Sequence, residues 1–245
     1  FMAKWVRPDE FHQTFNFRYL DAGWERNAVK AAIDESFEAF GSVGAPSTWV
    51  LSNHDVMRHV SRFGGDYGRA TASDGVGPND PQPNAELGLK KAVAATLFTL
   101  GLPGSIYLYQ GEELGLPEHT TLADEYRQDP TFARTNGERV GRDGCRVPLP
   151  WEYGRNASNG FSPTGKSWLP QPLSYADLSR DEQEGVQGST LETYKHYLAL
   201  RKELDLGNGS FEWAEELCSA SVLAYRNNGV LVTHDFVNHV THWSS

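Results

Sequence analysis

Cysteine is nearly absent: the 245 residues carry two, Cys145 and Cys218, too few and too far apart in sequence for a disulfide framework or a thiolate metal site. Reduced, structural thiols are expected. A basic excess is missing as well. Lys and Arg number 22 against 32 Asp and Glu, for a formal charge of -10 and a pI near 5.3. A surface that binds phosphates needs a concentrated cationic footprint, so nucleic acid is excluded as a partner. No apolar run is long enough to span a bilayer and no signal-like start is present, so no membrane segment and a cytoplasmic location are expected, with a signal peptide upstream of Phe1 not excluded. The start itself is uninformative on this point, because Phe1-Met2-Ala3-Lys4 reads as the interior of a longer protein. Phosphate cradles are also missing. Gly64-Gly65 and Gly101-Leu102-Pro103-Gly104 have neither the GxGxxG nor the GxxxxGK[ST] pattern leading into a helix, so nucleotide binding has no support. There is no internal repeat of fixed period.

Apolar and aromatic residues, by contrast, are plentiful. Seven Trp and twelve Phe argue against disorder, and the length allows one large core or two domains. Thr48-Trp49-Val50-Leu51-Ser52 reads as a short buried strand, and Ser105-Ile106-Tyr107-Leu108-Tyr109 as a second. Between them, residues 87–100 have apolar positions spaced for a helix with one largely buried side. Strand, helix, strand makes a parallel crossover unit. An earlier helix, about Ala28 to Phe40, closes with Gly41 and Gly44 before Pro46, and Thr14-Phe15-Asn16-Phe17 is expected to be another short strand. The fold class is therefore α/β. Residues 63–86 and about 116–174 are rich in Gly, Pro, Asp and Asn and read as long loops. Aromatic residues at 126, 132, 151, 153, 161 and 168 favour packed, functional loops over linkers. Helical spacing resumes over residues 190–204. Val222–Arg226 and Val230–His234 then flank Asn227-Asn228-Gly229, a hairpin signal that opens an antiparallel domain of two or three strands.

Candidate chemistry gathers at the strand ends. Asn53-His54-Asp55 follows the first strand and Gln110-Gly111-Glu112-Glu113 the second, and parallel α/β folds keep their sites at that rim. Asp55 and Glu112 form a candidate carboxylate pair for glycosidic chemistry, although a Glu bonding loop amides at a barrel rim is the commoner case. His54 is suited to a sugar hydroxyl, a base role or a metal. With His59 it lacks the i, i+4 spacing and the acidic partner of a metal motif, so no metal is assigned. Arg142-Asp143 reads as a loop salt bridge or a ligand clamp. Aromatic rings near a carboxylate-lined mouth suit a neutral carbohydrate, whose C–H faces stack while its hydroxyls pair with polar groups.

Three segments carry a more specific resemblance: Trp49 to Asp55, Gly101 to Gly115, and Arg142-Asp143-Gly144-Cys145-Arg146-Val147-Pro148-Leu149-Pro150-Trp151. In this order and at these intervals the chain resembles the second half of the catalytic region of the α-amylase family of glycoside hydrolases, most closely its bacterial exo-acting α-glucosidases. The resemblance covers essentially the whole chain. It implies the C-terminal portion of a (β/α)8 TIM barrel over residues 1–206, with strands six to eight and long loops, and the start of an antiparallel β-domain over 207–245. It makes Thr48–Ser52 strand seven and Ser105–Tyr109 strand eight.

The resemblance also implies roles. Asp55 becomes the third catalytic carboxylate, which binds hydroxyls of the terminal sugar and favours its oxocarbenium-like transition state. His54 binds the same sugar, Arg142 closes that subsite with an acidic partner from the missing half, and Arg58 helps form the outer, leaving-group side. Glu112 and Glu113 become structural. The nucleophilic Asp and the acid/base Glu are expected upstream of Phe1, so this chain alone is expected to be inactive. No cofactor is implied here, and calcium, where it is used, belongs to the missing half. The parent is expected to be a retaining hydrolase that frees terminal α-linked glucose from a neutral α-glucoside or a short malto- or isomalto-oligosaccharide. The alternatives are an α-glucosyl transferase or sugar isomerase of the same fold, or a non-catalytic relative serving in binding or assembly.

Overall fold

The computed structural model describes residues 2–67 and 74–244. Residues 68–73, part of the expected 63–86 loop, lie outside the described residues, as does Phe1. The chain forms two compact units, one comprising Phe1–Leu51, Val93–Leu108 and His196–Ser245, the other Ser52–Ala92 and Tyr109–Lys195.

The first unit holds the sheets. Strand β1 (Thr48–Val50) pairs in parallel with β2 (Ser105–Tyr107), in the register Thr48 to Ser105, Trp49 to Ile106 and Val50 to Tyr107. The helix Ala85–Leu100 lies between them in sequence. This is the expected crossover: an α/β fold with the parallel segment of a partial TIM barrel, followed by an antiparallel sheet. Trp49 is fully buried, donates from its indole nitrogen to the Pro103 carbonyl (2.7 Å), and packs edge-on against Tyr19 and Phe37. Phe37 belongs to the helix Arg26–Gly41, which buries Val29, Ala32, Ile33, Ser36 and Phe40 on one face. That spacing is the helical period, and Glu25 caps its start by accepting from the amides of Asn27 and Ala28.

The expected strand at Thr14–Phe17 does not form. The buried Asn16 side chain accepts from the Tyr19 amide (3.0 Å) and starts the short helix Phe17–Leu20. Asparagine bonds nearby backbone more readily than it joins a strand, and here that local preference overrides the β-prone phenylalanines beside it. Thr14 still meets β1, its carbonyl accepting from the Thr48 hydroxyl at 2.5 Å.

The antiparallel sheet has four strands where two or three were expected: β3 (Glu212–Trp213), β4 (Val222–Asn227), β5 (Val230–Asp235) and β6 (Val240–Ser244), hydrogen-bonded in that order. The two-residue β3 is too short to carry a periodic signal. The β4–β5 turn is Asn228-Gly229, with φ of 47° and 80°, the left-handed pair that matches the twist of a tight hairpin. This sheet is fastened to the C-terminal half of the helix Ala85–Leu100 through three helix carbonyls. Thr241 donates to Ala94 (2.6 Å), Trp243 to Leu97 (3.1 Å) and Tyr225 to Phe98 (2.5 Å). Arg201, from the helix Thr190–Glu203, caps the same helix end by donating to the carbonyls of Leu100, Leu102 and Gly104, a favourable place for a cation.

The second unit is mostly loop, yet it has its own apolar core of Leu114, Leu116, Leu122, Val147, Leu169, Tyr175 and Leu191. The Tyr175 hydroxyl lies within this core and donates to the Pro117 carbonyl (2.6 Å). The loops pack around these side chains, whereas most of the aromatic residues on which the expectation of packed loops rested, Tyr126, Trp151, Tyr153, Phe161 and Trp168, are exposed. Among the described residues, no helix is long and apolar enough to cross a membrane.

Gly104 enters β2 at φ 104°, where an added Cβ would lie 2.3 Å from the Ser47 carbonyl oxygen. Gly41 has open space around it. Gly104→Ala should therefore lower unfolding stability by about 3 kcal/mol or more, whereas Gly41→Ala should stay within about 1 kcal/mol of the parent. Urea midpoints of the two variants check this, and equal effects would contradict the close approach at Gly104.

Candidate active site

Five residues after β1 the chain reaches Asp55, within the second unit. The segment is fixed from both sides. Asn53 accepts the Asp55 amide through its side chain (2.7 Å), closing a local turn. Ser52 accepts the His59 amide (2.9 Å) and bonds His59 Nδ1 (2.8 Å), and the ring also hydrogen-bonds the Ala92 backbone. Burial, aided by Arg62 and Arg58, lowers the His59 pKa to about 3. The ring is thus a neutral staple rather than a proton carrier.

Asp55 is 47% exposed at its side chain and belongs to a closed ring of charges. Its Oδ1 accepts from Arg142 Nη1 (2.6 Å) and Arg146 Nη2 (3.2 Å). Arg142 Nε donates to Asp129 Oδ2 (2.5 Å), and Arg146 Nη1 lies 3.6 Å from that same oxygen. Two carboxylates and two guanidiniums therefore alternate with matched charge. Arg146 Nε also donates to the His54 carbonyl (2.9 Å). Asp55 Oδ2 is left facing His54 Nε2 at 3.4 Å, and the His54 side chain is 69% exposed. A bound polar ligand would meet Oδ2 of a carboxylate held from behind by two arginines, with the exposed His54 imidazole beside it.

Asp129 anchors the ring. Its side chain is fully buried, and it caps the helix Pro130–Arg134 by accepting from the Thr131 amide (2.9 Å). Burial pushes its pKa up, but the bonds from Arg142 and Thr131 outweigh this and hold the carboxyl well below the usual range. The loop beneath is fastened by Asp143, whose Oδ2 accepts from the amides of Gln128 (2.7 Å) and Asp129 (2.8 Å). Of the two sequence readings of Arg142-Asp143, the geometry divides the labour: Asp143 ties the loop and Arg142 reaches the solvent-facing carboxylate.

The remaining candidates are placed differently. Arg58 is buried beneath the Tyr109 ring, 5.0 Å from its centroid, and donates to the Gln110 carbonyl (2.7 Å). Its backbone amide donates to Glu118 (3.0 Å). A leaving-group role for Arg58 would require the guanidinium to leave this burial. As placed, it positions the Gln110 loop. Glu112 is also buried. One oxygen accepts from the Tyr109 amide (3.1 Å), while Oε2 has no hydrogen-bond partner among the described residues. Burial raises its pKa to about 8 and that of Glu118 to about 7. The solvent-facing pair of Asp55 with Glu112 considered from spacing is therefore not built. Both thiols are free. Cys145 lies next to the site and donates to the Arg142 carbonyl (3.1 Å). Among the described residues, no three His, Cys, Asp or Glu side chains gather as a metal site would need.

Sequence reasoning missed Arg146 and Asp129. The Asp129-Pro130 pair was readable as a helix start, but nothing in the spacing announces that Asp129 meets an arginine 13 residues later.

A parallel strand–helix–strand unit whose strand end leads into a charged, solvent-facing cluster has the layout of a barrel enzyme, with its chemistry at the C-terminal ends of the strands. Comparison with known proteins makes this specific. Residues 3–208 match the family described as alpha amylase, catalytic domain, and the chain belongs to the alpha-amylase family. It is 34% identical over 208 residues to a probable alpha-glucosidase of Rhizobium meliloti (strain 1021), covering 84% of this chain and 34% of that protein. Among solved structures it resembles the alpha-glucosyl transfer enzyme XgtA, with a TM-score of 0.69 and 30% identity over 95% of this chain and 39% of the other. The isomaltulose synthase of Erwinia rhapontici NX5 shares the fold, with a TM-score of 0.69 at 20% identity, covering 93% of this chain and 43% of that one. The chain thus spans about a third of the length of the curated relative it matches.

Two pH responses follow from the buried acids. Asp129 has a folded pKa below its unfolded value near 3.9, so its stabilisation is present above about pH 4 and lost as pH falls further. Asp129→Asn should cost about 3 kcal/mol at pH 7 and give a shallower loss of stability below pH 4; an acid limb as steep as the parent's would contradict the ring. Glu112 has the opposite sign. Its folded pKa of about 8 exceeds the unfolded value, so its contribution is complete below about pH 4 and is lost as pH rises towards 8. Glu112→Gln should flatten the decline in urea midpoint between pH 5 and 8, and an unchanged slope would contradict the burial of a protonated Glu112.

Proposed function

We propose that this chain is the sugar-holding part of an enzyme that takes an α-linked glucosyl unit from a neutral α-glucoside and passes it to a second sugar or to water. The observation that carries this reading is the state of Asp55: one oxygen is clamped by two arginines and the other stays open beside His54. In this reading Oδ2 of Asp55 accepts from a hydroxyl of the bound glucosyl ring, His54 bonds a neighbouring hydroxyl, and Arg142 and Arg146 hold the carboxylate in place. Arg58 acts from beneath by fixing the Gln110 loop. A carboxylate held this way strengthens its bond as positive charge develops on the ring, which favours the transition state over the bound substrate.

Retention requires two further carboxyl groups about 5 Å apart, one attacking the anomeric carbon and one protonating the leaving oxygen. Asp129, which shares both arginines with Asp55, is buried and fully engaged, so neither role falls to it. We assign both to barrel strands outside residues 1–206, with residues 207–245 opening the C-terminal β-domain. Transfer to a sugar acceptor is preferred over simple hydrolysis because the similarity to XgtA, at 30% identity, extends over 95% of this chain. The hydrolytic reading draws on the Rhizobium relative. Free thiols at Cys145 and Cys218 fit a reducing compartment, and we place the protein in the cytoplasm.

The purified 245-residue chain should bind glucose, lose at least about tenfold in affinity with Asp55→Asn, and release no p-nitrophenol from its α-glucoside. A calorimetric titration and a colorimetric assay check both. Robust turnover by this chain, or unchanged binding by the Asn variant, would overturn the assignment. Product analysis of the longer protein fed maltose then separates transfer, seen as new oligosaccharides or isomers, from hydrolysis, seen as glucose alone.

A further inference from the structure

Within the second unit a buried carboxylate joins the two segments that meet at Asp55. Glu118 is 6% exposed, and its Oε2 accepts from the backbone amide of Arg58 (3.0 Å), three residues beyond Asp55. Arg58 is the cap residue of the helix His59–Phe63, and its side chain makes no capping bond. Glu118 therefore reaches back to the cap amide as the acidic residue of a capping box does, but from 60 residues away. Its own amide donates to the Ser61 hydroxyl (2.8 Å), a second bond to the same helix. The next residue ties in the other segment. The His119 amide donates to the carbonyl of Gly144 (3.2 Å), inside the turn Asp143–Arg146 that has Arg142 and Arg146 at its two ends. A Cβ on Gly144 would lie 2.6 Å from Glu118 Oε1 and 2.9 Å from the His119 carbonyl oxygen, so the close approach requires glycine there.

Holding a carboxyl group in this place is costly. Burial raises the Glu118 pKa to about 7, against the opposing pull of the Arg58 amide and of the guanidiniums of Arg58, Arg127 and Arg146. The other titratable groups around it keep one state near neutral pH. Burial holds Tyr109, Tyr175 and Cys145 protonated, and it lowers His119 to about 4, so that imidazole is neutral. Glu118 is thus the member of this cluster that changes charge near neutrality. An apolar side chain would avoid the desolvation, but it would leave the Arg58 amide without its acceptor and the Asp55 segment untied from the Gly144 turn.

We propose that Glu118 is a positioning residue: by binding the Arg58 amide while packed on Gly144, it sets the segment that presents His54 and Asp55 at the spacing at which Arg142 and Arg146 reach Asp55 Oδ1. It acts through Asp55 and makes no bond to the sugar. The proposal rests on the α-glucoside reading above for what Asp55 then holds, and on the geometry alone for how Asp55 is placed.

The test is made on the 245-residue chain by NMR of the Arg142 and Arg146 Nε–H signals, assigned with Arg→Lys variants, and by calorimetric titration with glucose. Glu118→Ala should speed solvent exchange of both Nε–H groups about tenfold and weaken glucose binding about tenfold. Glu118→Gln keeps an acceptor for the Arg58 amide and should hold both within about threefold of the parent. Because the Glu118 charge acts on Arg146, the parent Arg146 signal should shift with a midpoint near pH 7. Glu118→Gln should erase that shift, and His54→Gln, which removes the neighbouring imidazole, should leave it in place. This readout decides the matter even where Glu118→Ala does not fold. Arginine signals unchanged in a cooperatively folded Glu118→Ala chain, or a titration that survives Glu118→Gln, overturn the proposal. If Glu118 controls the arginine signals and the parent binds no glucose, the positioning role stands and the α-glucoside reading falls. If glucose binds through Asp55 while the arginine signals ignore Glu118, the positioning role falls and that reading stands.

Discussion

The ring Asp55–Arg142–Asp129–Arg146 is the constraint on which the candidate site depends. A buried carboxylate such as Asp129 is unfavourable by itself, because the interior solvates it poorly. Here it is offset by two guanidiniums and by the amides of Thr131 and Arg142. The arginines in turn carry that fixed charge outwards to Asp55. The consequence is asymmetric. Asp129 has no freedom to exchange a proton near neutral pH, whereas Asp55 keeps one oxygen open to solvent. Breaking the buried member would loosen the exposed one, so the stability of the loop and the orientation of Asp55 are coupled through the same two side chains.

The loops that deliver these residues are not passive connections. Arg142 and Arg146 sit at either end of the single turn Asp143–Arg146, which brings both guanidiniums to one carboxylate. That turn is held by Asp143 through the amides of Gln128 and Asp129, and the chain leading away from it enters the apolar core at Val147. A long loop built this way pre-orients its polar groups before ligand arrives, which lowers the ordering cost of binding. The same core reaches, through Leu169, a groove lined by Trp151, Phe161 and Trp168.

Much of this was legible in the sequence, for particular physical reasons. Helical periodicity located Arg26–Gly41 and Ala85–Leu100, because a long amphipathic segment has many positions that agree. Asn228-Gly229 located the hairpin, since few residue pairs adopt two successive positive φ values. The strand expected at Thr14–Phe17 failed because one capping asparagine redirected the backbone. At the site, Asp55, His54 and Arg142 could be singled out from position and resemblance, and the structure brings them together. Arg146 and Asp129 could not, because which arginine turns towards which carboxylate is decided by loop packing. Arg58 illustrates the same point in reverse: a guanidinium three residues from Asp55 in sequence is taken into the interior by Tyr109 and Gln110.

Membership of the alpha-amylase family fixes the frame in which these parts act, and its similar proteins include a probable alpha-glucosidase and an alpha-glucosyl transfer enzyme. The account's central claim is that Asp55, held by the arginines at Oδ1, receives the glucosyl ring at Oδ2. A crystal structure of the longer protein with maltose bound is the most direct measurement. The account predicts a glucosyl hydroxyl about 2.5–3.0 Å from Asp55 Oδ2 with the Asp55–Arg142–Asp129–Arg146 ring intact. A sugar bound without contact to Asp55, or a ring of charges broken to admit it, would contradict the account.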